Sequence, residues 1–286
     1  MNHDLVAAVD EQFPALQAAL EDLVRIPSVS APGFAAEPVR RSAEATMELL
    51  RVSGFDDVRL LEVEGSHPAV FAQIEAPAGA PTVLLYAHHD VQPPGPDGEW
   101  TSAPFDPETR DGRLYGRGTA DDKAGIVVHA GAVRAHRGAP PVGVKVFIEG
   151  EEEIGSEHLG EFLARYGTLL AADAIVIADS ENWRVGTPTF TTSLRGLAAC
   201  NIEVRTLRAG VHSGGFGGVF PDAITVLARM LATLHDEAGE VAIAGLVHGE
   251  ADPLDLTEGE LREQAGALDG VATIGSGSLT GRMWTK

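Results

Sequence analysis

Cysteine is nearly absent: the 286 residues hold one, Cys200. A single thiol excludes any intrachain disulfide and suits a reducing compartment. Positive charge is also scarce, with 21 Lys+Arg against 42 Asp+Glu and a net charge of −21. That balance argues against a nucleic acid or an anionic membrane as a partner. No apolar run is long enough to span a bilayer. The first residues, Met1-Asn2-His3-Asp4, lack a basic stretch followed by an apolar core. No signal peptide is therefore expected, and the cytoplasm is the default location. No internal repeat and no low-complexity tract occurs. What is present is an ordinary globular composition, 44% hydrophobic, in a chain long enough for one large domain or two smaller ones. Cys200 lies in the apolar run Leu197-Ala198-Ala199-Cys200 and reads as a small buried side chain.

Apolar residues at helical spacing predict a helix over Leu5 to Arg25, with a kink or break at Pro14. A second helix is expected over Glu37 to Val52, stopped at Gly54. Strands are expected at Val58 to Val63, at Ala69 to Ile74, from Pro81, at Val142 to Glu149 and, as a buried strand, at Ala174 to Ala178. Helices from about Asp122 to Arg137 and from Glu157 to Arg165 fall between them. Strand alternating with helix, with polar residues at the strand ends, indicates an α/β sheet whose site lies at those ends. Trp100 and Phe105 are expected to pin the Pro- and Gly-rich loop Gln92 to Pro107. Beyond Thr189 the pattern changes to a strand over Leu197 to Val204, a Gly-rich loop carrying His212, and a helix over Asp222 to His235. A domain boundary is placed near Gly186.

The stretch Tyr86-Ala87-His88-His89-Asp90-Val91-Gln92-Pro93 follows the apolar run from Pro81. Strand residues two apart point to the same side, so His88 and Asp90 leave the strand end together. A histidine backed by a carboxylate is how a metal ligand is held in one tautomer. Further acids follow apolar runs or Gly-rich turns: Asp121, Glu152 with Glu153, and Asp179. One histidine and several carboxylates suit zinc, or cobalt or manganese. Two neighbouring metals need a bridging carboxylate and can clamp an attacking hydroxide. Each element has a plainer reading alone. Glu151-Glu152-Glu153 could be a solvated charge run, Asp179 a loop acid and His212 a flexible-loop histidine. Asp121-Asp122 could cap the next helix, and Asp122 is the favoured cap.

Jointly these motifs resemble the di-zinc metallopeptidase family of carboxypeptidase G, the aminoacylases and the succinyl-diaminopimelate desuccinylase. Within it they are most similar to the carnosinase-like, cytosolic dipeptidase branch. The resemblance rests on Ala87 to Pro93, Gly116 to Lys123, Glu151 to Ser156, Asp179 and His212-Ser213-Gly214, and it runs from the first helix to the last residue. It implies a three-layer α/β/α catalytic domain with a mainly parallel sheet over residues 1–186. It also implies an incomplete smaller α+β lid or dimerisation domain over residues 187–286. Two divalent metal ions are implied, zinc first, with manganese or cobalt as alternatives. His88 and Asp179 would bind one metal, Glu153 the other, and Asp121 both, with a cis peptide bond between Asp121 and Asp122. Asp90 would orient the His88 imidazole. Glu152 would be the general base that takes a proton from the bridging water and returns it to the leaving amine. In a homodimer, His212 would reach into the other subunit's site and stabilise the tetrahedral oxyanion. The implied reaction is hydrolysis of dipeptides or short peptides. The alternatives are an N-acyl amino acid amidohydrolase and a non-catalytic remnant. One departure stands out. The family's second metal takes a histidine from a late segment that returns to the catalytic domain, and His248 sits too early for that. The sequence is therefore expected to be a fragment or a truncated reading frame, with a weakened second metal position.

Overall fold

The computed structural model describes residues 3–180, 182, 186–191, 194, 197, 199–246 and 257–273. The chain divides into two units, Met1–Phe190 and Thr191–Lys286. In the first unit the order is α1 (His3–Val24), α2 (Glu37–Val52), β1 (Asp57–Leu61), β2 (Ala69–Ile74), β3 (Thr82–His88), β4 (Glu108–Arg110), β5 (Arg113–Tyr115), α3 (Lys123–Ala135), β6 (Gly143–Glu149), α4 (Leu159–Leu170) and β7 (Ala174–Ile177). The main sheet has five strands in the order β1-β2-β6-β3-β7. Its centre and one edge, β6, β3 and β7, are parallel. The antiparallel strands β1 and β2 complete the other edge.

Strand alternation sends neighbouring residues to opposite faces, and both faces are covered. Val70, Ala72 and Ile74 of β2 and Val144, Val146 and Ile148 of β6 pack against Leu16 and Leu23 of α1, Leu49 and Leu50 of α2, and Ile126 of α3. Ala69, Phe71 and Phe147 point the other way, onto Phe162 and Leu170 of α4. Each buried Val, Leu, Ile or Phe among them contributes roughly 1.5–3 kcal/mol. Helices on both faces give the three-layer α/β/α architecture that the resemblance implies. No helix among the described residues is long and apolar enough to cross a membrane.

Three expectations need correction. The first helix runs through Pro14 without a break. Pro14 and Asp10, whose carbonyl loses its bond, are both exposed, so water can satisfy that oxygen. β7 is an exposed edge, not a buried strand: Ile175, Val176 and Ile177 are 57%, 47% and 53% exposed. It pairs with β3 on one side, and no described residue pairs on the other. Third, no described residue from 199 to 204 lies in a strand, while Ala198 lies outside the described residues. Cys200 is accordingly exposed, because no described strand packs on its apolar run. The second unit shows α5 (Ser213–Phe216), α6 (Ala223–Ala232) and α7 (Glu258–Ala265). Asp222 caps α6 by accepting from the Thr225 N–H, as its position before an apolar helix suggests. His248 lies outside the described residues.

Candidate metal centre

The register of the parallel strands brings the acids together. His88 at the end of β3 lies opposite Glu149 at the end of β6. Tyr86 pairs with Ile177 of β7, and the Ala178 N–H donates to the Tyr86 carbonyl. His88, Glu152, Glu153 and Asp179 therefore emerge from adjacent strands at their C-terminal ends, where α/β sheets place their ligands. Asp121 arrives from the turn before α3, and its peptide bond to Asp122 is cis, as expected.

His88 is fully buried. Its Nε2 lies 3.0 Å from Asp121 Oδ1, 3.9 Å from Glu152 Oε2 and 4.0 Å from Asp179 Oδ2. Its Nδ1 meets the Asp90 carbonyl oxygen at 3.0 Å, and the Asp90 carboxylate Oδ1 at 3.4 Å. The backbone carbonyl is thus the nearer acceptor, with the carboxylate adding charge beside it. An N–H at Nδ1 leaves the Nε2 lone pair for an ion. Glu153 is clamped by Gln92: the Gln92 backbone N–H donates to Oε1 at 3.1 Å and its Nε2 donates to Oε2 at 2.8 Å.

Two donor sets lie close enough to hold an ion, with donor atoms within 4.8 Å of one another: His88, Asp121 and Glu153, and His88, Asp122 and Asp179. Asp122 already accepts from the His88 N–H and the Gly125 N–H, each at 3.2 Å. Asp122 is the residue just before α3, and the Gly125 bond is that of a helix N-cap.

The charges are unbalanced. Burial raises the Glu152, Glu153 and Asp179 carboxyls above their ordinary values; Asp179 adds to this at Glu152, and Asp121 at Glu153 and Asp179. Burial alone would lower His88, but Asp90 foremost, with Asp122 and Asp179, carries it up to about 10. Acids crowded around one imidazole are the electrostatics of a cation site. A divalent ion would relieve the repulsion and take the neutral Nε2. Oxygen donors with one nitrogen fit zinc, manganese or cobalt better than a thiolate-seeking metal.

The run Glu151-Glu152-Glu153 is not a solvated stripe. Glu151 is buried, accepting from the His67 N–H and bonded to His158 Nδ1, both at 2.8 Å. Glu152 begins a single 3₁₀ turn that presents it and Glu153 to His88 and Gln92. Gly150 links the end of β6 to this turn, and a Cβ there would meet the Pro68 carbonyl oxygen at 2.7 Å and His89 Nε2 at 2.8 Å. Those two atoms are bonded to each other at 2.8 Å. Gly150→Ala should therefore cost about 1–3 kcal/mol of stability, and an unchanged denaturant midpoint would contradict this packing.

Several supporting residues escape a linear reading. Ser28 and Ser30 read only as a helix stop, although their two-residue spacing puts them on one side of an extended segment. Gln92 reads as part of a loop motif, and Lys123 only as the last residue of the Gly116 to Lys123 stretch, yet Lys123 is fully buried. Trp100 does pin its loop, donating from Nε1 to the Pro94 carbonyl at 2.7 Å. His212 lies in the second unit, exposed, with its Nδ1 accepting from the Gly214 N–H at 3.0 Å.

Residues 84–267 match the family described as Peptidase family M20/M25/M40. The chain is 42% identical over 210 residues to a cysteinylglycine-S-conjugate dipeptidase of Corynebacterium striatum, covering 71% of this chain and 46% of that protein. It is 31% identical to a Cys-Gly metallodipeptidase of Candida albicans, covering 96% of this chain and 60% of the relative. The solved structure of the dipeptidase Dug1p of Saccharomyces cerevisiae superposes with a TM-score of 0.72 at 23% identity, over 92% of this chain and 61% of that one. This chain thus spans about half to three fifths of the length of these relatives. With the family match extending over most of its length and its acids gathered at the strand ends, the chain belongs to peptidase family M20/M25/M40.

Proposed function

We propose that this chain carries the metal site of a dipeptidase that hydrolyses the peptide bond of dipeptides or short peptides. The observation that carries this reading is the convergence of Asp121, Glu152 and Asp179 within 4.0 Å of one imidazole nitrogen. His88 and Asp179 would hold one divalent ion, Glu153 the other, and Asp121 would serve both; zinc is the first choice, with manganese or cobalt as alternatives. Divalent ions bound there would supply polarisation of the scissile carbonyl and a more acidic water. Glu152 is the general base. It is half-buried and raised by desolvation and by Asp179, which moves a glutamate toward the pKa that proton transfer near neutrality requires. It takes a proton from the attacking water and returns it to the leaving amine. Asp90 keeps the His88 ring in register. His212 donates to the oxyanion of the other subunit's site in a homodimer. Residues 1–186 form the catalytic part and residues 187–286 the lid or dimerisation part. The reaction is placed in the cytoplasm, in keeping with a lone, unpaired cysteine.

The names of the relatives direct the substrate choice toward Cys-Gly and similar dipeptides. The test is a turnover panel of Cys-Gly, other dipeptides and N-acetyl amino acids. Dipeptides should be cleaved faster. A chelator should abolish turnover, and added zinc, manganese or cobalt should restore it. Preference for N-acetyl amino acids would transfer the chain to the amidohydrolases, and turnover untouched by chelation would refute the metal reading.

A further inference from the structure

The Asp90 carboxylate is fully buried, and a buried carboxylate keeps its place only where donors hold it. Its Oδ2 accepts from the Ser30 hydroxyl at 2.6 Å and from the Glu153 backbone N–H at 3.1 Å. Its Oδ1 faces His88 Nδ1 at 3.4 Å and has no hydrogen-bond partner among the described residues. One carboxylate therefore joins the end of β3, the acidic turn after β6, and Ser30, which lies 60 residues earlier in the chain.

Ser30 is itself held firmly. It is 5% exposed and ends the segment Ile26-Pro27-Ser28-Val29-Ser30, which is tied down along its length. The fully buried Lys123 ammonium donates to the Leu23 and Ile26 carbonyls at 2.8 and 2.7 Å. The Ser28 hydroxyl donates to the His89 carbonyl at 2.7 Å. The Val91 N–H donates to the Ser28 carbonyl at 3.0 Å, and Val29 bridges to Val91 in parallel. Lys123 follows Asp121-Asp122 directly, so the segment is anchored to the turn that supplies Asp121.

We propose that Ser30 is a positioning residue of the metal site: its hydroxyl aims the Asp90 carboxylate, and through it the His88 ring and the Glu153 backbone. This rests on the metal reading above. Partners behind a metal-binding imidazole typically govern affinity by about 10–100-fold. Only Ser30 supplies a side-chain hydroxyl to this carboxylate among the described residues. Ser42 is an internal comparison, because it is equally buried yet donates to the His89 carbonyl, at 3.1 Å, and not to Asp90.

The experiment titrates zinc into the metal-free 286-residue chain against a competing chelator, for the wild type, Ser30→Ala, Ser30→Thr and Ser42→Ala. Thermal midpoints of the metal-free proteins are measured alongside. Ser30→Ala should bind zinc about 10–100-fold more weakly. Ser30→Thr, which keeps the hydroxyl, and Ser42→Ala should keep the wild-type affinity. Wild-type affinity in Ser30→Ala would overturn the inference, as would an equal loss in Ser42→Ala, since any buried hydroxyl would then serve. If Ser30→Ala does not fold, a folded Ser30→Thr with weakened zinc binding overturns it equally, and one with wild-type affinity supports it. A wild type that binds no zinc would instead refute the metal reading beneath it.

Discussion

Glu152→Ala is expected to lower dipeptide turnover by about two to four orders of magnitude while the metal content stays at the wild-type level. Glu152 and Glu153 are neighbours in one 3₁₀ turn but face different surroundings. Glu153 has both carboxylate oxygens held by Gln92 and shares a donor cluster with His88 and Asp121. Glu152 stands 3.9 Å from His88 Nε2 and belongs to neither donor cluster. It is near enough to exchange a proton beside bound ions, and no described residue clamps its carboxylate as Gln92 clamps that of Glu153. Glu153→Ala should do the opposite and release metal. Paired metal analysis and turnover of the two variants decide between the roles. Metal loss in Glu152→Ala with retention in Glu153→Ala would reverse them.

His88→Ala should empty the metal position that His88 would share with Asp121 and Asp179, weakening zinc binding there by on the order of 100-fold or more, beyond what loss of a supporting residue causes. His88 supplies the only imidazole nitrogen in either donor cluster. Without it each cluster keeps carboxylates alone, which suit hard ions better than zinc. The Asp179→Ala variant is the contrast, because it removes one carboxylate from that position and leaves the imidazole in place. Metal counting after dialysis should find no tightly held ion in His88→Ala and a smaller loss in Asp179→Ala. Retention of two ions by His88→Ala would show that the ions do not sit on this imidazole.

The sequence by itself determined the parts of the molecule that depend on near neighbours. The span of α2, the strand β2 and the helix beginning at Asp122 follow from apolar periodicity and capping, which act within a turn or two. The positions of His88, Asp90, Asp121, Glu152, Glu153 and Asp179 at strand ends or Gly-rich turns were legible for the same reason. The separate tasks of three successive glutamates were only partly legible. That Glu151 is buried and accepts from the backbone of His67, 84 residues earlier, depends on a residue far away in sequence. Cys200 and β7 carry the same lesson. Apolar composition says what a segment would gain by burial, whereas burial itself requires another element to lie on top of it. Tertiary structure alone decided that Ser30 reaches Asp90 across 60 residues, and that Lys123 crosses 100 residues to the Leu23 carbonyl. Such contacts have no period and no spacing in the chain. They exist because β3, β6 and the end of α1 are packed together, and the side chains that meet there are chosen by the packing.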